Sequence, residues 1–157
     1  MATTTIPGVR WLDGDEQSVW RRLLCVQSRL FARLDADLVQ NHHLSLGDYE
    51  VLVHLSEAPH RCLRMTELAA RLALSPSGVT RRLDGLVAEG LVVRRACPSD
   101  RRGSLAELTE SGARSLEEAA ATHVGGVRRY LFDPLGSDGV AALSEGLDAV
   151  AAALGDG

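Results

Sequence analysis

The run Met65-Thr66-Glu67-Leu68-Ala69-Ala70-Arg71-Leu72-Ala73-Leu74-Ser75-Pro76-Ser77-Gly78-Val79-Thr80-Arg81-Arg82-Leu83 divides into two short helical patterns on either side of a tight turn. Thr66 is placed to cap the first, from Glu67 to Ala73; Ser75, with Pro76 at the first helical position, opens a second that Gly90 ends. In that second helix Val79, Leu83 and Leu86 recur at the spacing of a buried stripe, while Ser77, Thr80, Arg81 and Asp84 share another face. Leu91 to Arg95 and Ser104 to Leu108 then read as the strands of a hairpin, with Cys97 to Gly103 as its loop. Arg61 to Met65 suits a third strand at the hairpin's base. The pattern predicts a mainly α fold with a small β-hairpin wing, a winged helix-turn-helix.

The polar face of the second helix has the chemistry of a DNA reader. Ser77 and Thr80 can donate to phosphates or base edges, Arg81 can fork onto guanine, and Gly78 lets the backbone approach closely. Thr66, Ser75 and Arg82 lie close enough in sequence to join them. A helix N-terminus adds a partial positive charge suited to phosphate. The hairpin carries Arg94, Arg95, Arg101 and Arg102, and an arginine-bearing tip suits the negative potential of a narrow minor groove. Asp100 is misplaced for binding an anion, so its expected task is to orient a neighbouring guanidinium. Between Arg61 and Arg102, nine arginines face Glu67, Asp84, Glu89 and Asp100, a balance of +5; the whole chain carries −4, leaving −9 on the flanks. A basic middle between acidic ends is the polarity expected of a protein that presents one face to nucleic acid. All 17 basic residues are Arg, which points to a GC-rich genome and makes the positions of the arginines more informative than their number.

Outward from this core the chain is helical. Residues 1–14 mix Thr, Pro and Gly and read as a flexible arm. From Asp15 to about Asn41, Val19, Trp20, Leu23, Leu24, Leu30, Phe31, Leu34 and Leu38 keep the spacing of one long amphipathic helix, longer than its own core requires. Ser45, with Asp48 three residues on, caps a helix to about Ser56 that buries Tyr49, Leu52, Val53 and Leu55. Thr109 caps another, running to about Phe132, where Asp133-Pro134-Leu135-Gly136 breaks it. After Ser137, Val140, Leu143, Leu147, Val150 and Leu154 alternate by threes and fours, the seam of a helical pair. At 157 residues this is one domain. It divides into a DNA-binding lobe over 45–108 and a helical dimerisation region over 15–44 and 109–157.

These motifs together resemble the MarR family of bacterial transcriptional regulators. The resemblance covers about Trp20 to Leu154 and is carried by Met65-Thr66-Glu67-Leu68-Ala69, Ser75-Pro76-Ser77-Gly78-Val79-Thr80-Arg81, Leu86-Val87-Ala88-Glu89-Gly90-Leu91-Val92, Asp100-Arg101-Arg102-Gly103 and Leu108-Thr109-Glu110-Ser111-Gly112. It implies a homodimer whose first and last helices interlock and whose two lobes reach successive grooves of a palindromic operator on double-stranded DNA. It also implies Arg102 at the wing, with Asp84 beside Asp100 as its ion-pair partner. The resemblance further implies repression relieved by a small aromatic or phenolic effector held between the dimer helices and the DNA-binding lobe. Trp20, His42, His43, Tyr49 and His54 lie on segments that would line such a pocket.

Other readings bring in the remaining residues. Cys25 sits on the first helix, where a peroxide-sensing branch of that family carries its reactive thiol; Arg21, Arg22 and Arg29 are near in sequence, but the neighbours Leu24, Val26 and Gln27 point to a buried, unactivated group. Cys97, on the expected loop, should be the more exposed thiol. Cys25, Cys62 and Cys97 are an odd set with no CxxC pair, so no disulfide framework is expected. Glu50 and His54 stand one helical turn apart, a zinc-compatible spacing that His42, His43 or His123 would have to complete, and no metal or cofactor is expected. No phosphate loop, nucleophile elbow or paired-His motif supports an enzyme. A purely structural helical dimer would explain the seam but not the charge polarity or the wing. No stretch has the roughly 20 apolar residues of a membrane span, and the N-terminus lacks a signal-peptide core, so the expected place is the cytoplasm.

Overall fold

The computed structural model describes residues 8–97 and 100–155, without the side chains of 100–102. Helix α1, Gly14–His42, opens on a capping box: the Asp13 side chain accepts from the Glu16 N–H at 2.8 Å, and the Glu16 carboxylate accepts from the Asp13 N–H at 2.9 Å. The arm therefore ends at Asp13; Gly8 to Asp13 are exposed, and residues 1–7 lie outside the described part. Helix α2, Leu46–Ser56, begins as the sequence suggests, with the Ser45 hydroxyl accepting from the Asp48 N–H. A single 3-10 turn, Pro59–Arg61, leads into strand β1, Cys62–Arg64. Helices α3, Met65–Arg71, and α4, Pro76–Ala88, follow, then β2, Val92–Cys97, and β3, Asp100–Leu108. Helix α5, Glu110–Val127, runs through a π-helical turn, Arg128–Phe132, into α6, Asp133–Leu154.

The three strands form one antiparallel sheet in the order β1-β3-β2, so the short segment before α3 does close the base of the wing. Among the described residues, twenty apolar ones from α1 to α5 make one core, including Leu38, Leu44, Leu52, Leu55, Leu68, Val79, Leu83, Leu86 and Val92. Tyr49, Leu52 and Leu55 are buried on α2 as expected, but Val53 is only half-buried and Val51 takes its place. Helix α2 is wrapped by neighbours on more than one side, which a single apolar stripe does not convey.

Three boundaries differ from the sequence expectation, each for a local reason. Thr66 is not the cap of α3: the helix starts two residues earlier than expected, at Met65, Arg64 stands at the cap position, and the Glu67 carboxylate accepts the Arg64 N–H at 3.3 Å. The wing loop is shorter than Cys97 to Gly103, because β3 begins at Asp100 with Cys97 opposite it, after a register shift between Ala96 and Cys97. The chain does not stop at Phe132 either. It continues helically, and the break falls at the last residue of the expected Asp133–Gly136 stretch, Gly136, whose φ of +61° is left-handed backbone that a glycine takes without penalty.

The junction from lobe to α5 explains the Leu-Thr-x-x-Gly run. Thr109 caps α5 by accepting the Gly112 N–H at 2.9 Å, and its hydroxyl reaches the Gly90 and Leu91 carbonyls at 2.8 and 3.0 Å, two acceptors for one donor. The end of α4 is thereby held against the start of α5. Gly112 is required because a Cβ there would lie 2.2 Å from the Leu91 carbonyl oxygen, closer than any side chain tolerates. Gly112→Ala is expected to lower stability by about 1–3 kcal/mol, read as a lower urea midpoint without a change in helical content.

Candidate nucleic-acid interface

The recognition face is built by the cap and the buried stripe of α4. Ser75 Oγ accepts the Gly78 N–H at 3.2 Å, and Pro76 occupies the first turn. Val79, Leu83 and Leu86 enter the core, which turns Ser77, Thr80, Arg81 and Asp84 outward, all exposed. Thr80 Oγ1 donates back to the Pro76 carbonyl at 2.9 Å, setting its rotamer. Arg81 is exposed, and among the described residues no hydrogen bond or ion pair holds its guanidinium. Thr66 is exposed on the first turn of α3, at one wall of a cleft of about 370 Å³ that Arg64, Met65, Pro76, Thr80 and Arg94 also line.

Three of the arginines expected at the interface are engaged within the fold. Arg82, one residue and about 100° round α4 from Arg81, is half-buried and lies 3.7 Å from Asp48 Oδ1 at the start of α2. Gly47 makes room for it: a Cβ there would stand 1.7 Å from Arg82 Nη1. Arg94 Nη2 donates to the Thr80 carbonyl at 2.7 Å and forms an ion pair with Asp84 Oδ1 at 2.9 Å. Arg95 forks onto Glu107 across the hairpin, Nε at 2.6 Å and Nη2 at 3.2 Å. These pairings join residues distant in sequence, so only the sheet register or helix packing could have announced them. Asp84 does meet an arginine of the wing, namely Arg94. The side chains of Asp100, Arg101 and Arg102 lie outside the described part, and with them the expected Arg102 pairing; their backbone forms the start of β3.

The expected effector residues divide into two groups. His42 meets Thr122 Oγ1 of α5 at 2.7 Å, and the buried Tyr49 ring sits 4.5 Å from the His123 ring of α5 at a 31° tilt. His54 is half-buried on α2, and its Nδ1, like that of His123, is buried without a hydrogen-bond partner among the described residues. His42, Tyr49, His54 and His123 thus mark the seam of α1, α2 and α5. His43, exposed with a left-handed φ of 55°, ends α1 beside this seam. Trp20 does not join them within one chain: it precedes His42 by 22 residues, about 33 Å along the helix. His123, noted in sequence only as a possible metal ligand, is the residue of this seam that was underrated; its i+4 relation to the buried Ala119 is the available signal. Among the described residues no three His, Cys, Asp or Glu side chains gather as a metal site.

The thiols reverse the expected order. Cys25 is exposed, because it lies on the N-terminal half of α1, whose side chains are nearly all exposed, and Cys97 is buried, because it belongs to β2 and not to a loop. Burial and the Glu107 carboxylate push the Cys62 thiol above its ordinary value. The same openness leaves Val19, Trp20, Leu23, Leu24 and Phe31 on α1 exposed, and Leu147, Val150 and Leu154 on α6, where no residue is buried within the chain. Among the described residues no helix is long and apolar enough to cross a membrane.

With this geometry the comparisons are specific. Residues 43–103 match the model of the MarR family. The chain is 35% identical over 122 residues to the multiple antibiotic resistance protein MarR of Escherichia coli, covering 78% of this chain and 83% of that protein. The chain belongs to the MarR family. A second relative, the HTH-type transcriptional repressor YetL of Bacillus subtilis, is 38% identical over 80 residues, 51% of this chain and 48% of its own, so the match spans about half of YetL. Among solved structures, Sco3205 of Streptomyces coelicolor, a MarR family regulator in complex with DNA, superposes with a TM-score of 0.87 at 37% identity over 94% of this chain and 92% of that one. The relation therefore extends beyond the lobe to the long helices.

The seam has a measurable signature. Burial lowers the His123 imidazole below its ordinary 6.5, with Glu50 pulling the other way. A depressed pKa means the unfolded chain binds the proton more readily, so this group's contribution is present above pH 6.5 and is lost as pH falls from there through the folded-state value. The urea midpoint of the wild type is expected to drop between pH 7.5 and 5.5 by more than that of His123→Gln.

Proposed function

We propose that this MarR-family chain is a homodimeric, sequence-selective DNA-binding repressor of the bacterial cytoplasm. It reads a palindromic operator and releases it when a small aromatic ligand binds. The observation that carries the reading is the exposed Ser77, Thr80 and Arg81 face of a helix pinned by its opposite face, beside a hairpin whose leading residues are Asp100, Arg101 and Arg102. In this reading α4 enters the major groove, where Arg81 reads guanine and Thr80 and Ser77 approach phosphates or base edges. Ser75 and Gly78 bring the positive end of the helix to a phosphate. Arg101 and Arg102 reach the neighbouring minor groove, with Asp84 and Asp100 as orienting carboxylates. The DNA complex of Sco3205 and the repressor name of YetL support the choice.

Dimerisation follows from the exposed apolar faces. A row of Val19, Trp20, Leu23 and Leu24 on α1, with Leu147, Val150 and Leu154 on α6, is what two copies of the chain would bury against each other. Residues 15–44 and 109–157 then pair the copies, and 45–108 meets DNA. The proposed effector site is the seam of α1, α2 and α5, where two imidazole nitrogens lack partners and a ligand donor or acceptor would satisfy them. A ligand there lowers DNA affinity only by preferring a geometry in which the lobe and the dimer helices no longer suit both half-sites.

Two measurements test this. In fluorescence anisotropy at physiological salt, DNA that the protein enriches from a random pool should bind selectively at two protomers per site; equal, weak binding to scrambled DNA would reject the reading. Leu147→Glu combined with Val150→Glu is expected to give monomers by light scattering with loss of operator binding, whereas an intact dimer would reject the seam.

A further inference from the structure

We propose that Asp84 and Arg94 form a latch that sets the wing against the recognition helix, so that Arg94 acts on DNA through α4 without touching it. This rests on the DNA-binding reading above. One nitrogen, Arg94 Nη2, donates to the Thr80 carbonyl at 2.7 Å and stands in an ion pair 2.9 Å from Asp84 Oδ1. In an α-helix that carbonyl also takes the N–H of the residue four positions on, which is Asp84. The guanidinium of β2 therefore bridges main chain and side chain of a single turn of α4. A bond to a main-chain carbonyl fixes where along the helix the strand sits, and the carboxylate fixes its direction.

Exposure separates the roles. The Arg94 side chain is 33% exposed and that of Asp84, on the same face of α4 as Ser77, Thr80 and Arg81, is 62% exposed, so the carboxylate is the more open member of the pair. A lone carboxylate on such a surface would repel phosphate. Held by Arg94, it is instead half of a positioning device. Arg82 is committed to Asp48 and Arg95 to Glu107 in the same manner. Of the arginines on α4 and β2, Arg81 is the one that no ion pair or hydrogen bond holds among the described residues, which makes it the contact and Arg94 the positioning residue.

The sign of one substitution decides the matter. If only charge counts, Asp84→Asn removes a negative charge facing DNA and binds tighter; if the latch matters, it binds weaker. Full-length wild type, Asp84→Asn, Arg94→Gln, their double variant and Arg81→Gln are compared by anisotropy on the DNA enriched by the wild type, across a salt series. The latch predicts at least about twofold weaker binding for Asp84→Asn and for Arg94→Gln, with a double variant no worse than Arg94→Gln alone. Their salt slopes should match the wild type, while Arg81→Gln, which removes the base contact, should lose selectivity for the enriched DNA over scrambled DNA. The thermal midpoint of Asp84→Asn should not move, since an exposed ion pair contributes little stability. Tighter binding by Asp84→Asn, or a slope shallower by about 0.9 for Arg94→Gln with additive effects, would overturn the latch. A wild-type protein that enriches no sequence at all would instead overturn the DNA-binding reading, and the latch with it.

Discussion

Burial of Val79, Leu83 and Leu86 is the constraint on which the rest of this molecule depends. Each sits at 2% exposure or less, and burying such a side chain contributes about 1.5–3 kcal/mol. No rotation of α4 keeps all three in the core except the one observed. That one requirement gives Ser77, Thr80 and Arg81 a fixed outward direction, and sends Arg82 round to the start of α2. A DNA reader needs its polar face held rigidly before the ligand arrives, because ordering it on binding would cost affinity. The apolar stripe supplies that rigidity from the side of the helix opposite Ser77, Thr80 and Arg81.

Around this anchor the charged residues are sorted by geometry more than by type. Arginines whose side chains project back over the lobe meet Asp48, Asp84 or Glu107, and the one that projects straight out from α4 meets none among the described residues. The same logic extends to the lobe's other borders. Thr109 and Gly112 lock the end of α4 to α5, Asp35 accepts the Leu46 N–H at 2.9 Å to lock α1 to α2, and Tyr130 donates to Asp37 at 2.9 Å to lock the π-helical turn after α5 to α1. Polar contacts therefore run from the recognition helix to the long helices. A change at the seam of α1, α2 and α5 has a physical route to the DNA-binding face.

Much of the fold was legible in the sequence because its signals are local. Caps at Ser45, Ser75 and Thr109, the Pro76 start and the Val79/Leu83/Leu86 spacing each state a boundary or a face within a few residues. The family resemblance, now matched over residues 43–103, arranged those pieces. What misled was non-local. The cap position of α3 depends on β1 ending at Arg64, the extent of the wing on β3 pairing as far as Cys97, and the exposure of Cys25 on what α1 lacks as a neighbour. The candidate site was legible as a set of residue types but not as a division of labour. Arg81, Arg82 and Arg94 look alike in a sequence and differ only in which carboxylate their direction brings within reach.

The most direct test of the account is methylation interference on the enriched DNA, which reports where guanine N7 in the major groove must be free. The account predicts two interfering patches, each at one half-site, about 10 bp apart and on one face of the duplex, as two copies of α4 in successive major grooves require. A single patch, or interference confined to minor-groove adenines, would contradict it.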